Sequence, residues 1–186
     1  MHLHSSSPTL TDVTFSDNTA DHGGGMYLFY SSNPTLIRVI FSGNTADHGG
    51  GMYLDSSSPT LTDVTFSDNT AEERGGGMYL YYSSNPTLTD VTFSDNTAEE
   101  RGGGMYLYYS SNPTLNSVKF SDNTADKYGG GMYLSSSSNP TLIGVVFNGN
   151  TAQYGGGMYL YYFSNPTLVN LTFGSNSAIY NGGGMY

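Results

Sequence analysis

The chain has 186 residues and a formal net charge of −10, from fifteen acidic and five basic side chains. This balance excludes the clustered Lys and Arg on which nucleic-acid binding and recognition of anionic membrane surfaces depend. There is no Cys, and no apolar run approaches the length of a transmembrane helix. We therefore expect no disulfide framework, no thiol chemistry, no nucleic-acid partner and no direct insertion into a membrane.

One repeated unit accounts for the whole chain. It runs from Pro-Thr-Leu to Gly-Gly-Gly-Met-Tyr, and its prolines recur every 25 to 27 residues, at Pro8, Pro34, Pro59, Pro86, Pro113, Pro140 and Pro166. Insertions fall only before the Pro or between the Ala and the glycines, which is typical of a solenoid with a fixed core and variable corners. Residues 1–186 are predicted to form a single stack of about seven coils. Because no capping repeat is visible, we expect an uncapped piece of a longer repeat domain, with open ends that could self-associate end to end.

The fourth unit shows how the strands are predicted. Val91 and Phe93 are two residues apart and share one face of a strand, whereas Leu88 lies three residues before Val91. The broken alternation predicts a tight corner at Asp90, in a column whose other members are Asp12, Arg38, Asp63, Ser117, Gly144 and Asn170. A third strand begins at Met105. The sequence thus predicts an all-β parallel β-helix with three short strands per coil and a dry core of stacked Leu, Val, Phe and Met columns.

The repeat also carries a recognisable motif. Each unit contains Phe-x-x-Asn, as in Phe93–Asn96, followed by Gly-Gly-Gly-Met-Tyr. This pairing resembles the short repeats of the chlamydial polymorphic outer-membrane proteins, and it is similar to the wider pectin-lyase-like group of right-handed parallel β-helix proteins. The resemblance covers essentially the whole chain. It implies a right-handed coil, an extracellular or cell-surface location as an outer-membrane passenger, and adhesion to host cells.

An invariant Asn recurs at one corner of every coil. We expect its side-chain amides to stack from coil to coil and to satisfy the polar groups of the turn, so the role is predicted to be structural. The members of this Asn ladder are Asn18, Asn44, Asn69, Asn96, Asn123, Asn150 and Asn176.

Aromatic residues form a second set of columns, predicted to face outward opposite Met and Leu. Exposed aromatic patches indicate binding partners, although stacking between strands would explain the columns without one. We expect a binding face for a host-cell protein or glycan, and we expect replacement of Tyr106 by Ala to leave stability nearly unchanged. The residues of this face are Tyr27, Tyr53, Tyr79, Tyr81, Tyr106, Tyr108, Tyr133, Tyr159 and Tyr161.

Acidic residues gather at the turns, and Ca²⁺ would relieve the repulsion among stacked carboxylates such as Asp17, Asp68, Asp95 and Asp122. We favour a solvated acidic edge over a calcium site, because no calcium-loop signature is present. His2, His4, His22 and His48 make incomplete metal sites and are interpreted as surface residues. No metal site and no cofactor is predicted.

Catalysis has little support in the sequence. No Ser is matched with a His, and Arg38 and Lys119 lie in separate coils. We therefore predict a non-enzymatic, secreted or surface-exposed stalk or adhesin-like binding module. One alternative is part of a carbohydrate-active β-helix, binding or cleaving polysaccharide, whose catalytic coils lie outside the chain. Another is an ice-binding array, suggested by outward Thr-x-Thr rows such as Thr87 and Thr89.

Overall fold

The computed structural model describes all 186 residues, which form 28 strands and no helix, so no helix is present that could span a membrane. The strands build four parallel sheets of seven strands, and each coil contributes one strand to every sheet. The prediction of an all-β parallel solenoid of about seven coils is confirmed. The prediction of three strands per coil is wrong, because there are four.

We name each sheet after one of its repeated residues. The Tyr sheet comprises His2–His4, Met26–Phe29, Met52–Asp55, Met78–Tyr81, Met105–Leu107, Met132–Leu134 and Met158–Leu160. The Leu sheet comprises Thr9–Thr11, Thr35–Ile37, Thr60–Thr62, Thr87–Thr89, Thr114–Asn116, Thr141–Ile143 and Thr167–Val169. The Phe sheet comprises Thr14–Ser16, Ile40–Ser42, Thr65–Ser67, Thr92–Ser94, Lys119–Ser121, Val146–Asn148 and Thr172–Gly174. The Ala sheet comprises Thr19–His22, Thr45–His48, Thr70–Arg74, Thr97–Ala98, Thr124–Ala125, Thr151–Tyr154 and Ser177–Asn181.

Coils are numbered by their strand in the Tyr sheet, so the sixth coil begins at Met132. Pairing is in register: Leu88 lies between Leu61 and Leu115, and the same holds along the other columns. Identical residues therefore stack directly on one another, which is how a repeated sequence becomes continuous ladders.

Two corners, five residues apart, turn the chain from the Leu sheet to the Phe sheet and then to the Ala sheet. Asp90 and Asp95 occupy them in the fourth coil, with φ of 54° and 56°. The first corner is the predicted one, and Arg38 and Ser117 adopt the same left-handed backbone there as the Asp residues do. The second corner lies where only a polar turn was predicted. It opens a fourth strand, Thr97–Ala98, in which a small Ala is the inward residue.

The interior is filled by the predicted apolar columns. Leu88, Val91, Phe93 and Met105 are fully buried, and they belong to one cluster of 27 buried hydrophobic residues. The rings of Phe93 and Phe120 stack with centroids 4.8 Å apart and an angle of 5° between planes. Each large buried side chain contributes on the order of 1.5–3 kcal/mol, so the continuous core holds the coils together.

The three glycines before each Met make the tightest corner. Gly129 has a φ of 66°, a left-handed conformation that Gly adopts without steric cost. A Cβ added at Gly131 would lie 2.5 Å from the carbonyl oxygen of Gly157 and 2.9 Å from Cδ1 of Phe147. Consecutive coils thus approach so closely at this corner that only Gly fits.

Candidate functional site: the outer aromatic face

The Asn ladder is buried inside the coil, at the corner between the Phe and Ala sheets. Asn69, Asn96, Asn123 and Asn150 have no exposed surface. Asn96 Nδ2 donates both of its hydrogens, to Asn123 Oδ1 and to the carbonyl oxygen of Phe66, each at 2.9 Å. Asn96 Oδ1 accepts from the main-chain N of Asn69 at 3.1 Å and from its Nδ2 at 2.9 Å. Every polar atom of the amide is paired within the protein, which supports the predicted structural role.

The tyrosine that follows each Met of the Tyr sheet, from Tyr27 to Tyr159, forms the Tyr column. This column points outward from the sheet, as predicted, but most of it is not exposed. Tyr53, Tyr79, Tyr106 and Tyr133 retain 6%, 3%, 1% and 4% of their surface and form a separate hydrophobic cluster. The prediction that these four tyrosines form an exposed stripe is therefore wrong. They are the floor of an outer aromatic face, which we define as the Tyr column together with the aromatic and Arg residues packed on it.

The cover over these tyrosines comes from the residue that precedes the glycines. This column contains His48, Arg74, Arg101 and Tyr128, which pair with one another across successive coils. The Cζ atom of Arg101 lies 5.7 Å from the ring centroid of Tyr133. These residues follow no inward period in the sequence, so their packing against the outside of the sheet was not predicted.

Burial changes the ionisation of the floor tyrosines. It raises the pKa of Tyr53, Tyr79, Tyr106 and Tyr133 above the ordinary value, because a phenolate would be taken out of water there. Nearby Arg74 and Arg101 oppose this rise at Tyr106. Neutral phenol rings are thus favoured across the floor of the face.

The other residues of the predicted binding face lie beside the floor and are more exposed. Tyr81 and Tyr108 are half-buried and Tyr161 is exposed, whereas Tyr27 and Tyr159 are half-buried members of the column near its ends. The rings of Tyr81 and Tyr108 stack at 6.0 Å. A hydrogen bond that the Tyr108 hydroxyl donates to Tyr109, together with burial, raises the pKa of Tyr108 to about 12. These residues supply the accessible part of the predicted face.

A third aromatic column stands at the corner that follows the Tyr sheet. Tyr82 and Tyr109 are exposed and stack with ring centroids 5.1 Å apart and planes within 10°. Both have left-handed backbones, with φ of 45° and 51°, as do Tyr30 and Tyr162 in their coils. Any residue with a Cβ meets a cost of about 1–2 kcal/mol in this conformation, and Ser136 adopts it at the same corner of the sixth coil. The corner itself does not require an aromatic residue.

The sixth coil interrupts the aromatic columns. Where the fifth coil has Tyr108 and Tyr109, the sixth has Ser135 and Ser136. The missing rings leave a cavity of about 350 Å³ between Tyr108 of the fifth coil and Tyr161 of the seventh. We call this cavity the notch. Its other lining residues are Arg74, Arg101, Tyr106, Tyr128, Tyr133 and Tyr159.

The two arginines at the notch differ in their partners. Arg74 lies 3.5 Å from a carboxylate oxygen of Glu73 and 3.6 Å from one of Glu100. Arg101 takes part in none of the five ion pairs of the chain, whereas the buried Nε of both arginines lacks a hydrogen-bond partner. Arg38 and Lys119 are the basic residues that lie within the strands predicted from the sequence, so a role for Arg101 was not predicted. A signal for the notch was present in the departure of Ser135-Ser136 from the Tyr-Tyr pattern.

The remaining candidates form no comparable site. Burial, with Asp68 and Asp122 on either side, raises the pKa of Asp95. No group of three or more His, Cys, Asp or Glu side chains is placed to hold a metal ion. Arg38 is paired with Asp12 at 2.6 Å on the surface, in a coil separate from that of Lys119.

The predicted Thr rows flank the inward Leu of the Leu sheet, where Thr87 and Thr114 are exposed and Leu88 is buried. The second row is interrupted by residues such as Asn116 and Ile143. Asn116 pairs in register with Thr89 on one side and with Ile143 on the other. The Leu sheet therefore presents one continuous Thr row and one broken row.

Comparison with known proteins agrees with this architecture. The family model described as "right handed beta helix region" matches residues 1–96 and 47–186, which together span the chain. No curated protein and no solved structure matches the chain. The narrower resemblance to the chlamydial repeats stays a prediction. From its matched repeats and its parallel coils, the chain belongs to the right-handed β-helix family.

Proposed function

We propose that this chain is a non-enzymatic β-helix stalk whose outer aromatic face binds glycans. The observation that carries the proposal is the exposed aromatic column at a left-handed corner, Tyr30, Tyr82, Tyr109 and Tyr162. Because Ser56 and Ser136 adopt the same left-handed conformation at this corner, folding does not require an aromatic ring there, and contact with a ligand is the better explanation for the exposed tyrosines.

A glycan suits this face better than a protein partner does. The accessible rings stack in small groups, such as the pair Tyr82 and Tyr109, and do not form a broad apolar patch. Flat aromatic rings can cover the apolar face of a sugar ring, while phenol and Ser hydroxyls nearby can pair with sugar hydroxyls. Tyr also holds its ring with little loss of side-chain freedom on binding.

We extend the proposal to the location of the protein in the cell. The resemblance of the repeats implies a secreted or surface-exposed protein, and a long unbranched stack of coils would carry the aromatic face away from its point of attachment. Labelling of intact source cells with an antibody against the chain, compared with permeabilised cells, tests the location. Signal only after permeabilisation would contradict it.

The binding proposal is tested on a glycan array, followed by titration of the bound glycans with the full chain. Tyr109→Ser is the informative variant, since it introduces the residue found at the same corner in the sixth coil. We expect affinity to fall about tenfold, the loss typical of one aromatic contact of moderate strength.

Thr114→Ala is the matched control, because Thr114 is an exposed residue of the Leu sheet. Its affinity should equal that of the wild type. Absence of any bound glycan, or equal affinities for Tyr109→Ser and wild type, would contradict the proposal. Cleavage of a bound polysaccharide during the titration would instead favour the carbohydrate-active alternative.

A further inference from the structure

We infer that the notch in the sixth coil is a subsite for a single carboxylate-bearing sugar residue, such as a uronic acid within an otherwise neutral glycan. This inference rests on the proposed glycan-binding function and names the ligand class that one part of the face selects. It is carried by three features of the notch: its shape, its aromatic floor and its unpaired guanidinium.

The shape suits a sugar. At about 350 Å³ the notch lies at the lower end of the range of small-molecule sites, which matches about one or two sugar rings. Tyr108 and Tyr161 flank it, because the two serines of the sixth coil leave their rings without a neighbour in between. A sugar ring seated there would replace the missing side chains and continue the aromatic column.

The floor of the notch is apolar and fixed. Tyr133 is buried, and its ring stacks on that of Tyr159 with centroids 5.2 Å apart and planes within 6°. Ser135 and Ser136 supply hydroxyl groups at the edge of this floor. An apolar floor with a few hydroxyl groups at its rim is the arrangement that positions a sugar by one face and by its own hydroxyls.

The charge in the notch selects the ligand. Arg101 lines the cavity without a carboxylate partner, and its Cζ lies 5.8 Å and 5.7 Å from the ring centroids of Tyr128 and Tyr133. The nearest acidic side chain in sequence, Glu100, is already paired with Lys127 at 2.8 Å and lies 3.6 Å from Arg74. A guanidinium beside two rings, with its Nε donor unused, is matched by a planar carboxylate that accepts two of its hydrogens.

The rest of the chain favours an isolated carboxylate over a polyanion. The net charge is −10, so a uniformly acidic polymer would be repelled along most of the surface. Repulsion is screened beyond about 8 Å at physiological ionic strength, whereas the contact with Arg101 acts at hydrogen-bond distance. One acidic residue placed in the notch keeps the favourable contact and avoids most of the repulsion.

The test uses matched pairs of methyl glycosides of glucose, galactose and mannose with the corresponding uronic acids. Binding to the full chain is measured by saturation-transfer NMR and by titration, alongside the glycan array. We expect at least one uronic acid to bind about 10- to 100-fold more tightly than its neutral counterpart, as a charge-assisted hydrogen bond predicts. Arg101→Gln should reduce that preference to less than about threefold.

A second variant tests the location independently of charge. Ser135→Tyr/Ser136→Tyr gives the sixth coil the residues that the fifth coil carries as Tyr108 and Tyr109, so the fold tolerates them. It should fill the notch and abolish uronate binding while leaving binding elsewhere on the array unchanged. Thermal melts of both variants establish that they are folded.

The outcomes separate this inference from the proposed function. Equal affinity for acidic and neutral sugars, or uronate binding that survives both variants, would overturn the carboxylate subsite and leave the glycan proposal standing. Array glycans that bind through Tyr109 without any methyl glycoside binding would do the same. Absence of binding in both formats would overturn both.

Discussion

Replacing Asn96 with Ala probes the most regular polar element of the coil. The side chain makes four hydrogen bonds, two donated by Nδ2 and two accepted by Oδ1. The substitution leaves two buried donors of Asn69, its main-chain N–H and one hydrogen of Nδ2, without an acceptor. At about 1–3 kcal/mol for each buried unsatisfied group, the loss of unfolding free energy is about 2–6 kcal/mol.

Denaturant unfolding followed by circular dichroism measures this loss. Asn112→Ala is the matched control, since Asn112 lies in the next coil, is exposed, and accepts a hydrogen bond from the main-chain N of Asn139 at 2.6 Å. Water can replace that bond, so the control should lose less than about 1 kcal/mol. Equal losses for the two variants would show that burial of the ladder does not determine its contribution, and would refute the reasoning.

Three further predictions concern the outer face and the glycine corner. Tyr106→Ala should lower the free energy of unfolding by at least about 2 kcal/mol in the same assay, because the Tyr106 side chain is only 1% exposed. This is contrary to the expectation from the sequence. Tyr109→Ala, at an exposed position, is the control. Gly131→Ala should lower the free energy of unfolding by about 1–3 kcal/mol, since its Cβ would overlap the next coil. Gly174→Ala should have a smaller effect, because the added Cβ would meet only the side chain of Asn148. Burial raises the pKa of Tyr53, so its neutral form is favoured by folding: stability should be constant below the unfolded value of about 10 and fall as the pH rises above it. A free energy of unfolding that does not fall as the pH rises above about 10 would contradict the last of these.

Much of the fold was readable because the pattern repeats. Leu88, Val91 and Phe93 occur with fixed spacing in every unit, and that spacing predicts inward ladders and a corner at Asp90. The fourth strand was missed because its inward residue is Ala98, whose small side chain gives no apolar signal. A spacing of five residues from Leu88 to Phe93 and from Phe93 to Ala98 was present, and it is the signal that marks two equivalent corners.

The site was harder to predict, since alternation in a strand assigns a face but not a degree of exposure. Tyr106 faces away from the core as predicted, yet it is buried by residues such as Arg101 that lie outside the strands recognised in the sequence. Their packing depends on how the end of the Ala sheet approaches the Tyr sheet, a relation between segments that periodicity does not encode. The notch depends on the same relation.

The distribution of variation among the coils connects the fold with the proposed function. Columns that hold the coil together, such as the Asn ladder and the glycine corner, repeat because every member makes the same contacts with the coils on either side. Beside the Tyr sheet, two columns vary from coil to coil: the residue before the glycines and, taken together, the pair after Met-Tyr-Leu. These two columns meet on the outer aromatic face, where Arg101 lies beside Ser135 and Ser136. The core tolerates every residue found at these positions. Differences between coils there therefore change the ligand-accessible surface without changing how the coils stack. For this reason, a specific site can arise on this face of an otherwise uniform solenoid.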